Sequence, residues 1–413
     1  MRYLLFLFIA LSLHAKFDAT LTIEKDVEHR TKIALEDSSV LPNKQLFKML
    51  VSDLKISGHF LVDEIVYQGS FKGNVINPAL KSQEYVLKYT MQEGSGVRLS
   101  VRLLKASTGR EIFKKSYTIS LSSKMPFLAH KAVWDINNIL KYPNIDWINR
   151  YVVFAQYTTS KHSKIILADY TFTYKKPIIS GGLNLFPRWA DKNQRSFYYT
   201  SLRGTIPTLY RLNIYTGAKT KIASSEGMIV CSDVSKNTKK ILLTMAPSGQ
   251  PDIYELNLLT GRKIRITRFN GIDVNGKYIN DERRIVFVSN RLGYANIFRK
   301  DIHGSAISQI VYHGRNNDTV DAYGSRIVYA SRESNNVFRG NTFNIYLASM
   351  NDATTRPLTV LGSNQFPHFS SNGSIVQYIK QTQNGFSVGY INLQSKQSLL
   401  IPLGGHKIQA LDW

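Results

Sequence analysis

Apolar and polar positions recur with a long period through the C-terminal two-thirds of the chain. Six segments share an apolar-rich pattern that ends in Asp, Asn or Ser, and the third positions of successive segments are 44, 44, 44, 48 and 43 residues apart. The segments are 164–169, 208–213, 252–257, 296–301, 344–349 and 387–392. A period of this length is typical of a supersecondary unit that cannot bury its faces alone. The pattern therefore predicts six packed copies of one unit.

Each unit is predicted to contain four strands. An apolar run such as Ile241–Leu243 precedes the segment, and a hairpin turn such as Leu259–Gly261 leads from it to another short strand. A further strand, for example Phe186–Trp189, lies ahead of a polar turn rich in Asn, Asp and Ser. Four-stranded units repeated around an axis describe a β-propeller. The predicted fold class is therefore mainly β: a six-bladed β-propeller over residues 146–413, preceded by a small α+β domain.

The first unit has no innermost strand of its own. Residues Ile408–Trp413 resemble the innermost strands of the other units. We expect this C-terminal strand to complete the first blade and close the ring, which would remove exposed sheet edges. An open stack of blades is the structural alternative.

Residues 16–145 have a different rhythm, which predicts the α+β domain. Asn43 is expected to cap a helix that ends at Gly58, and a second helix is expected over Met125–Tyr142, stopped by Pro143. Strict alternation over Val97–Leu103 predicts a strand with one buried face, and further strands are expected at 85–89 and 111–119. The two helices would cover the buried face of this sheet.

The N-terminus is predicted to be a secretory signal over residues 1–15, because Arg2 is followed by the apolar run Leu4–Leu13 and by Ala15. No later apolar run approaches the length of a membrane span, so the mature protein is expected to be soluble in the periplasm. The net charge is +24, but basic residues are spread along every blade, which argues against nucleic acid as a partner. Cys231 is the only cysteine, so no internal disulfide can form, and we expect a buried, inert thiol.

The sequence offers little catalytic chemistry. It contains no Gly-x-Ser-x-Gly nucleophile elbow and no histidine pair with metal-ligand spacing. His130 is interpreted as a hydrogen-bonded structural residue rather than as a ligand or base. Four aspartates fall near predicted inner strands, where they would be solvated or hydrogen-bonded in the channel or, alternatively, hold a cation: Asp233, Asp273, Asp321 and Asp412. No cofactor and no metal site is predicted.

The whole chain resembles the TolB family, the periplasmic component of the Tol–Pal system of Gram-negative envelopes. The resemblance rests on the order of signal peptide, small α+β domain and six blades. It also rests on the stretches Asp53–Phe60, Tyr85–Lys88, Leu103–Gly109, Ala129–Asp135 and Asn149–Phe154. The family's Ser-Pro-Asp-Gly turn after the inner strand is degraded here, and glycine survives only at Gly373.

The resemblance implies a non-enzymatic scaffold that supports outer-membrane integrity and constriction during cell division. It implies that the propeller face binds the peptidoglycan-associated lipoprotein Pal, and that an N-terminal strand, Lys16–Ile23, binds TolA. The Pal-facing positions would be the loops just before the inner strands: Glu226, Gly227, Asn270, Gly271, Asn316, Asn317, Asn364, Gln365, His406 and Lys407. Turn geometry explains Glu226, His406 and Lys407 least well, so these rank highest as contacts.

Phe17, Leu21 and Ile23 are the candidate anchors for TolA, although the same stretch could be an edge strand of the N-terminal sheet. Two other functions remain open. A secreted propeller enzyme would work in the channel mouth. A lectin-like module would bind cell-wall glycan by stacking sugar on Trp189 or Trp413.

Overall fold

A computed structural model describes residues 30–333, 342–352, 354–383 and 385–413. The predicted signal at 1–15 and the proposed anchors Phe17, Leu21 and Ile23 lie outside these residues. Within the described residues, neither of the two α-helices has the length and apolar character needed to cross a bilayer.

The N-terminal sheet has five strands in the order β2-β1-β3-β4-β5. The strands are β1 (Thr31–Asp37), β2 (Phe60–Gln68), β3 (Tyr85–Glu93), β4 (Val97–Lys105) and β5 (Glu111–Ile119). Strand β1 lies between β2 and β3 and is parallel to both, whereas β3, β4 and β5 form an antiparallel meander. The meander confirms the three predicted strands, and the parallel pair β1–β2 was not predicted.

Two helices cover one face of this sheet: α1 (Lys44–Ser57) and α2 (Pro126–Ile139). The Asn43 side chain accepts hydrogen bonds from the first turn of α1, and Gly58 ends this helix with a φ of 85°, so both predicted caps are confirmed. The prediction that α2 reaches Tyr142 was wrong. The helix ends at Ile139 because the backbone turns at Lys141, where φ is 60°.

Six four-stranded sheets follow, and we number them as blades 1 to 6. Blade 1 contains β6 (Val152–Thr159), β7 (His162–Ala168) and β8 (Lys175–Ile179), and blade 2 contains β9 (Asn184–Trp189), β10 (Ser196–Ser201), β11 (Thr208–Asn213) and β12 (Lys219–Ser224). Blade 3 contains β13 (Ile229–Val234), β14 (Lys240–Met245), β15 (Asp252–Asn257) and β16 (Lys263–Arg265).

Blade 4 contains β17 (Asp273–Ile279), β18 (Arg284–Leu292), β19 (Tyr294–Asp301) and β20 (Ile307–Gln309). Blade 5 contains β21 (Arg315–Tyr323), β22 (Arg326–Glu333), β23 (Thr342–Ser349) and β24 (Thr355–Pro357). Blade 6 contains β25 (Ser363–Phe369), β26 (Ile375–Thr382), β27 (Gly385–Asn392) and β28 (Ser398–Gly404).

The last strand, β29 (Ile408–Asp412), pairs antiparallel with β6 and becomes the innermost strand of blade 1. This pairing confirms the predicted ring closure and rules out an open stack. Trp413 follows β29 and is buried, with its indole nitrogen donating to the carbonyl of Phe369 in blade 6 (3.0 Å). The tail therefore joins the first blade to the last.

All six innermost strands run in the same direction, so the ring has two different faces. We call the face where they begin the upper face and the face where they end the lower face. The N-terminal domain lies on the lower face, where the side chain of Asn392 donates to the carbonyls of Ile56 and Ser57 at the end of α1 (both 3.2 Å). The part of the N-terminal domain that the structure describes therefore leaves the upper face uncovered.

Candidate functional site

The upper face carries a ring of exposed apolar side chains around the channel mouth. They lie in the loops that enter the innermost strands, or in and beside the turns that join the second and third strands of a blade. These residues are Leu202, Ile206, Met228, Ile272, Leu292, Tyr294, Tyr312, Val360 and Leu361, with exposed fractions from 38% to 76%. Single exposed apolar residues are common on protein surfaces, but a group of this size at one end of a ring is typical of a docking surface.

The channel below this ring is apolar and narrow. Its cavity measures about 220 Å³ and is lined by the innermost strands, including two Phe-Pro pairs at 186–187 and 366–367. Phe186 and Phe366 both have a φ of 54°, at irregularities in the pairing of β9 and β25. Non-glycine residues with positive φ are uncommon, so these paired positions are built features of the channel.

Ion pairs close the lower part of the channel. Arg188 contacts Asp233 (2.9 Å) and Asp412 (3.3 Å), and Lys277 contacts Asp321 (3.3 Å), which also faces His368. Burial alone would raise the pKa of Asp321, but Lys277 and His368 outweigh it and hold that pKa below its usual value. Asp321 is therefore ionised, and all three carboxylates are already paired with protein cations.

The fourth predicted channel aspartate, Asp273, is fully buried at the start of β17 and is bound by the guanidinium of Arg291 (2.9 and 3.0 Å). Among the residues that the structure describes, no group of three or more His, Cys, Asp and Glu side chains is arranged to hold a metal ion. Cys231 is buried, and burial raises the pKa of its thiol well above its usual value. The thiol is therefore not a nucleophile at neutral pH.

Three of the five predicted contact pairs do lie in loops of the upper face. Glu226, Asn270, His406 and Lys407 are exposed there. The two glycines serve the fold, since a Cβ atom at Gly227 would approach the carbonyl oxygen of Ala246 to 2.3 Å and one at Gly271 would approach the Phe269 ring to 2.3 Å.

The other two pairs were placed wrongly. Asn316 and Asn317 lie within β21, and Asn364 and Gln365 lie within β25, because these strands begin earlier than predicted, at Arg315 and Ser363. Asn317 and Asn364 are fully buried. The side chain of Asn317 donates to Asn296 Oδ1 (2.9 Å) and to the carbonyl of His313 (2.8 Å).

Asn364 is held in the same way, since its side chain donates to Asn344 Oδ1 (3.0 Å) and to the carbonyl of Leu361 (3.0 Å). These asparagines tie the upper loops to neighbouring strands. The nine exposed apolar residues were not predicted. The sequence signal that could have identified them was the presence of apolar residues, such as Ile272 and Tyr312, in predicted turns that contain Gly and Asn.

The charged side chains of the upper loops are mostly positive. In the described part of these loops Glu226 is the only carboxylate, whereas Lys161, Arg203, Arg268 and Lys407 contribute positive charge. An apolar surface with a basic rim favours a partner that presents apolar and acidic side chains.

Trp189 and Trp413 are buried, which removes the stacking surfaces expected for a lectin.

His130 lies where the two domains meet, as a hydrogen-bonded structural histidine. Its ring is fully buried between Asp53 of α1 (Nδ1 to Oδ2, 2.8 Å) and Asp169 of blade 1 (Nε2 to Oδ2, 3.3 Å). Tyr170 donates its hydroxyl to the other oxygen of Asp53. Burial alone would lower the pKa of His130, but the two carboxylates outweigh it and raise the pKa to about 9. The imidazolium therefore links α1, α2 and the propeller.

Comparison with known proteins gives a consistent result. A family model described as "TolB beta propeller domain" matches residues 149–410. The chain is 44% identical to the Tol-Pal system protein TolB of Wolinella succinogenes and 39% identical to that of Helicobacter pylori, in each case over the full length of both chains. The crystal structure of TolB from Acinetobacter baumannii superposes with a TM-score of 0.74 at 21% identity, over 93% of this chain and 97% of that one, which supports the fold.

Proposed function

Because this chain belongs to the TolB family of Tol-Pal system proteins, we propose that it is a non-enzymatic periplasmic scaffold of the Tol–Pal system. In this proposal the upper face of the propeller binds the lipoprotein Pal, and the N-terminal segment Lys16–Ile23 binds TolA. The scaffold would connect these two partners and so support outer-membrane integrity and constriction during division.

The observation that carries the proposal is the apolar ring on the upper face. Its members are exposed although apolar side chains are normally buried, and the N-terminal domain occupies the opposite face. The basic rim and the single carboxylate at Glu226 further favour an acidic partner surface. The described channel cations and carboxylates are paired with each other, which supports docking rather than catalysis.

The test is binding of the purified, soluble domain of Pal, measured by calorimetry. Ile272→Ser and Tyr312→Ser each remove an exposed apolar side chain from the ring, so each should weaken binding by about tenfold or more if it lies near the centre of the interface. The matched control is Leu61→Ser, which removes from β2 of the other domain an apolar side chain whose exposed fraction of 50% is close to the 45% of Ile272. Equal effects in all three variants, or no binding by the native chain, would contradict the proposal.

The TolA site needs a separate experiment. Deletion of Lys16–Ile23 should abolish capture of TolA and leave Pal binding unchanged, because in this proposal the two partners bind separate surfaces. The single substitutions Phe17→Ser, Leu21→Ser and Ile23→Ser should reproduce part of this loss. If the deletion abolishes both interactions, the segment is structural.

A further inference from the structure

Basic residues follow the 44-residue period at the outer edge of the propeller. Lys175, Lys219 and Lys263 are each the first residue of the outermost strand in blades 1, 2 and 3. Each pairs with the last apolar position of the third strand, namely Ala168, Leu212 and Leu256. The three lysines are therefore structurally equivalent, and all are exposed.

The other half of the ring lacks this charge. The equivalent first residues in blades 4, 5 and 6 are Ile307, Thr355 and Ser398. The outer hairpins and strands of blades 1 to 3, residues 170–179, 214–224 and 258–265, contain seven Lys and Arg residues and no carboxylate. Blades 4 to 6 contain only two in the corresponding residues 302–309, 350–357 and 393–404. The positive charge of the outer hairpins and strands is thus concentrated in three adjacent blades.

We call this surface the basic arc. Its exposed members are Lys175, Lys176, Lys219, Lys221, Arg262 and Lys263. Among the residues that the structure describes, no carboxylate lies within 4.0 Å of the ammonium of Lys175, Lys219 or Lys263. Arg265, beside the arc, is in contrast paired with Asp252. The ammonium of Lys219 lies over the ring of Tyr210 (3.7 Å to the ring centre), which leaves its charge unneutralised. The charge of these three lysines is therefore not cancelled by a carboxylate and can attract an external anion.

Two apolar side chains project beside the arc. Tyr215 and Leu259 occupy the same position in the outer turns of blades 2 and 3 and are 70% and 74% exposed. Both turns have the same construction: the backbone N–H of Tyr215 donates to Asn213 Oδ1 and that of Leu259 donates to Asn257 Oδ1, each at 2.9 Å. These hydrogen bonds fix the backbone of both turns, and the side chains of Tyr215 and Leu259 project into solvent.

The equivalent turn of blade 6 is covered by the N-terminal domain. There Asn392 makes the same turn and also contacts α1, so the tip is occupied by the N-terminal domain. The tips of blades 2 and 3 have no such cover at Tyr215 and Leu259.

We propose that the basic arc, together with Tyr215 and Leu259, binds the anionic headgroup surface of a phospholipid bilayer. Lysine and arginine side chains near such a surface interact with its phosphates, and their attraction extends over about 8–10 Å at physiological ionic strength. Tyrosine and leucine at turn tips insert at the boundary between headgroups and acyl chains. A soluble polyanion would use the same cations but would gain nothing from exposed apolar tips, which is why the surface fits lipid best.

The test uses the full mature chain and sedimentation with vesicles of phosphatidylcholine, with or without phosphatidylglycerol. The arc variant combines Lys175→Gln, Lys219→Gln and Lys263→Gln. The control variant combines Lys44→Gln, Lys48→Gln and Lys81→Gln, three exposed lysines of the N-terminal domain, so that the net charge changes equally. The native chain should bind only the anionic vesicles, and the arc variant should lose about a hundredfold in partition coefficient. The control variant should lose no more than a few-fold.

A second comparison separates lipid from other anions. Tyr215→Ser combined with Leu259→Ser should weaken binding to anionic vesicles and leave binding to polyglutamate unchanged. Thermal melting of each variant should match that of the native chain, since all five substituted side chains of the arc are exposed. Equal losses in arc and control variants, binding that ignores phosphatidylglycerol, or binding to polyglutamate without binding to vesicles would each overturn the proposal.

Discussion

Replacing His130 by glutamine should remove a pH-dependent contribution to stability at the contact between the two domains. The imidazole is fully buried between Asp53 and Asp169, and its pKa is raised to about 9. Glutamine can still donate a hydrogen bond but cannot carry a charge, so the variant leaves two buried carboxylates without a cation. Breaking a buried ion pair in this way is strongly destabilising.

The magnitude follows from the pKa difference between the folded and unfolded chains. A shift from 6.5 to about 9 corresponds to roughly 3 kcal/mol of the free energy of unfolding. Because the folded pKa is raised, this contribution is fully present below pH 6.5 and is lost as the pH rises through about 9. The free energy of unfolding of the native chain should therefore exceed that of the variant most at about pH 6 and least at about pH 9.5.

The assay is urea-induced unfolding, followed by tryptophan fluorescence, at several pH values between these limits. Subtracting the variant from the native chain cancels the contributions of titrating groups that do not contact His130. The control is His162→Gln, an exposed histidine of blade 1, which should show no pH-dependent difference of comparable size. A native-minus-variant difference that stays constant between pH 6 and pH 9.5 would refute the reasoning.

Three further perturbations have defined outcomes. Deleting residues 408–413 should abolish cooperative unfolding because β6 loses its partner, and a calorimetric melt identical to that of the native chain would contradict this. Asp318→Asn should stabilise the chain by about 2–3 kcal/mol at pH 7 in urea titrations, since burial raises the pKa of Asp318 to about 6. That gain should disappear below about pH 4, where the carboxyl group is protonated in both states, and a gain independent of pH would exclude this cause. Arg188→Met should cost about 3–5 kcal/mol by leaving Asp233 and Asp412 without their shared cation, whereas Lys192→Met should be nearly neutral in the same titration.

Most of the fold could be predicted from the local periodicity of the sequence. The 44-residue repeat was enough to predict six blades and the closing role of the C-terminal strand, because each blade is built from contacts between neighbours in sequence. The parallel pair β1–β2 was missed because its pairing crosses α1 and has no hairpin turn to mark it. The helix cap at Asn43 was predictable because capping is local.

The candidate site was less accessible to sequence reasoning. Asn317 and Asn364 have the composition of turn residues, yet both are buried and make hydrogen bonds that fix the upper loops. The contact among Asp53, His130 and Asp169 joins positions far apart in the chain, and no local pattern marks it. The apolar ring became visible only when exposure was known residue by residue.

Ring closure by β29 also bears on how the polypeptide acquires its fold. Synthesis proceeds from the N-terminus, so β6 is made long before the strand that will cover its inner edge. During that interval the unpaired edge is open to mismatched strand pairing and aggregation. Blade 1 is therefore the last blade to be completed, and the inner edge of β6 stays unpaired until the final strand has been synthesised.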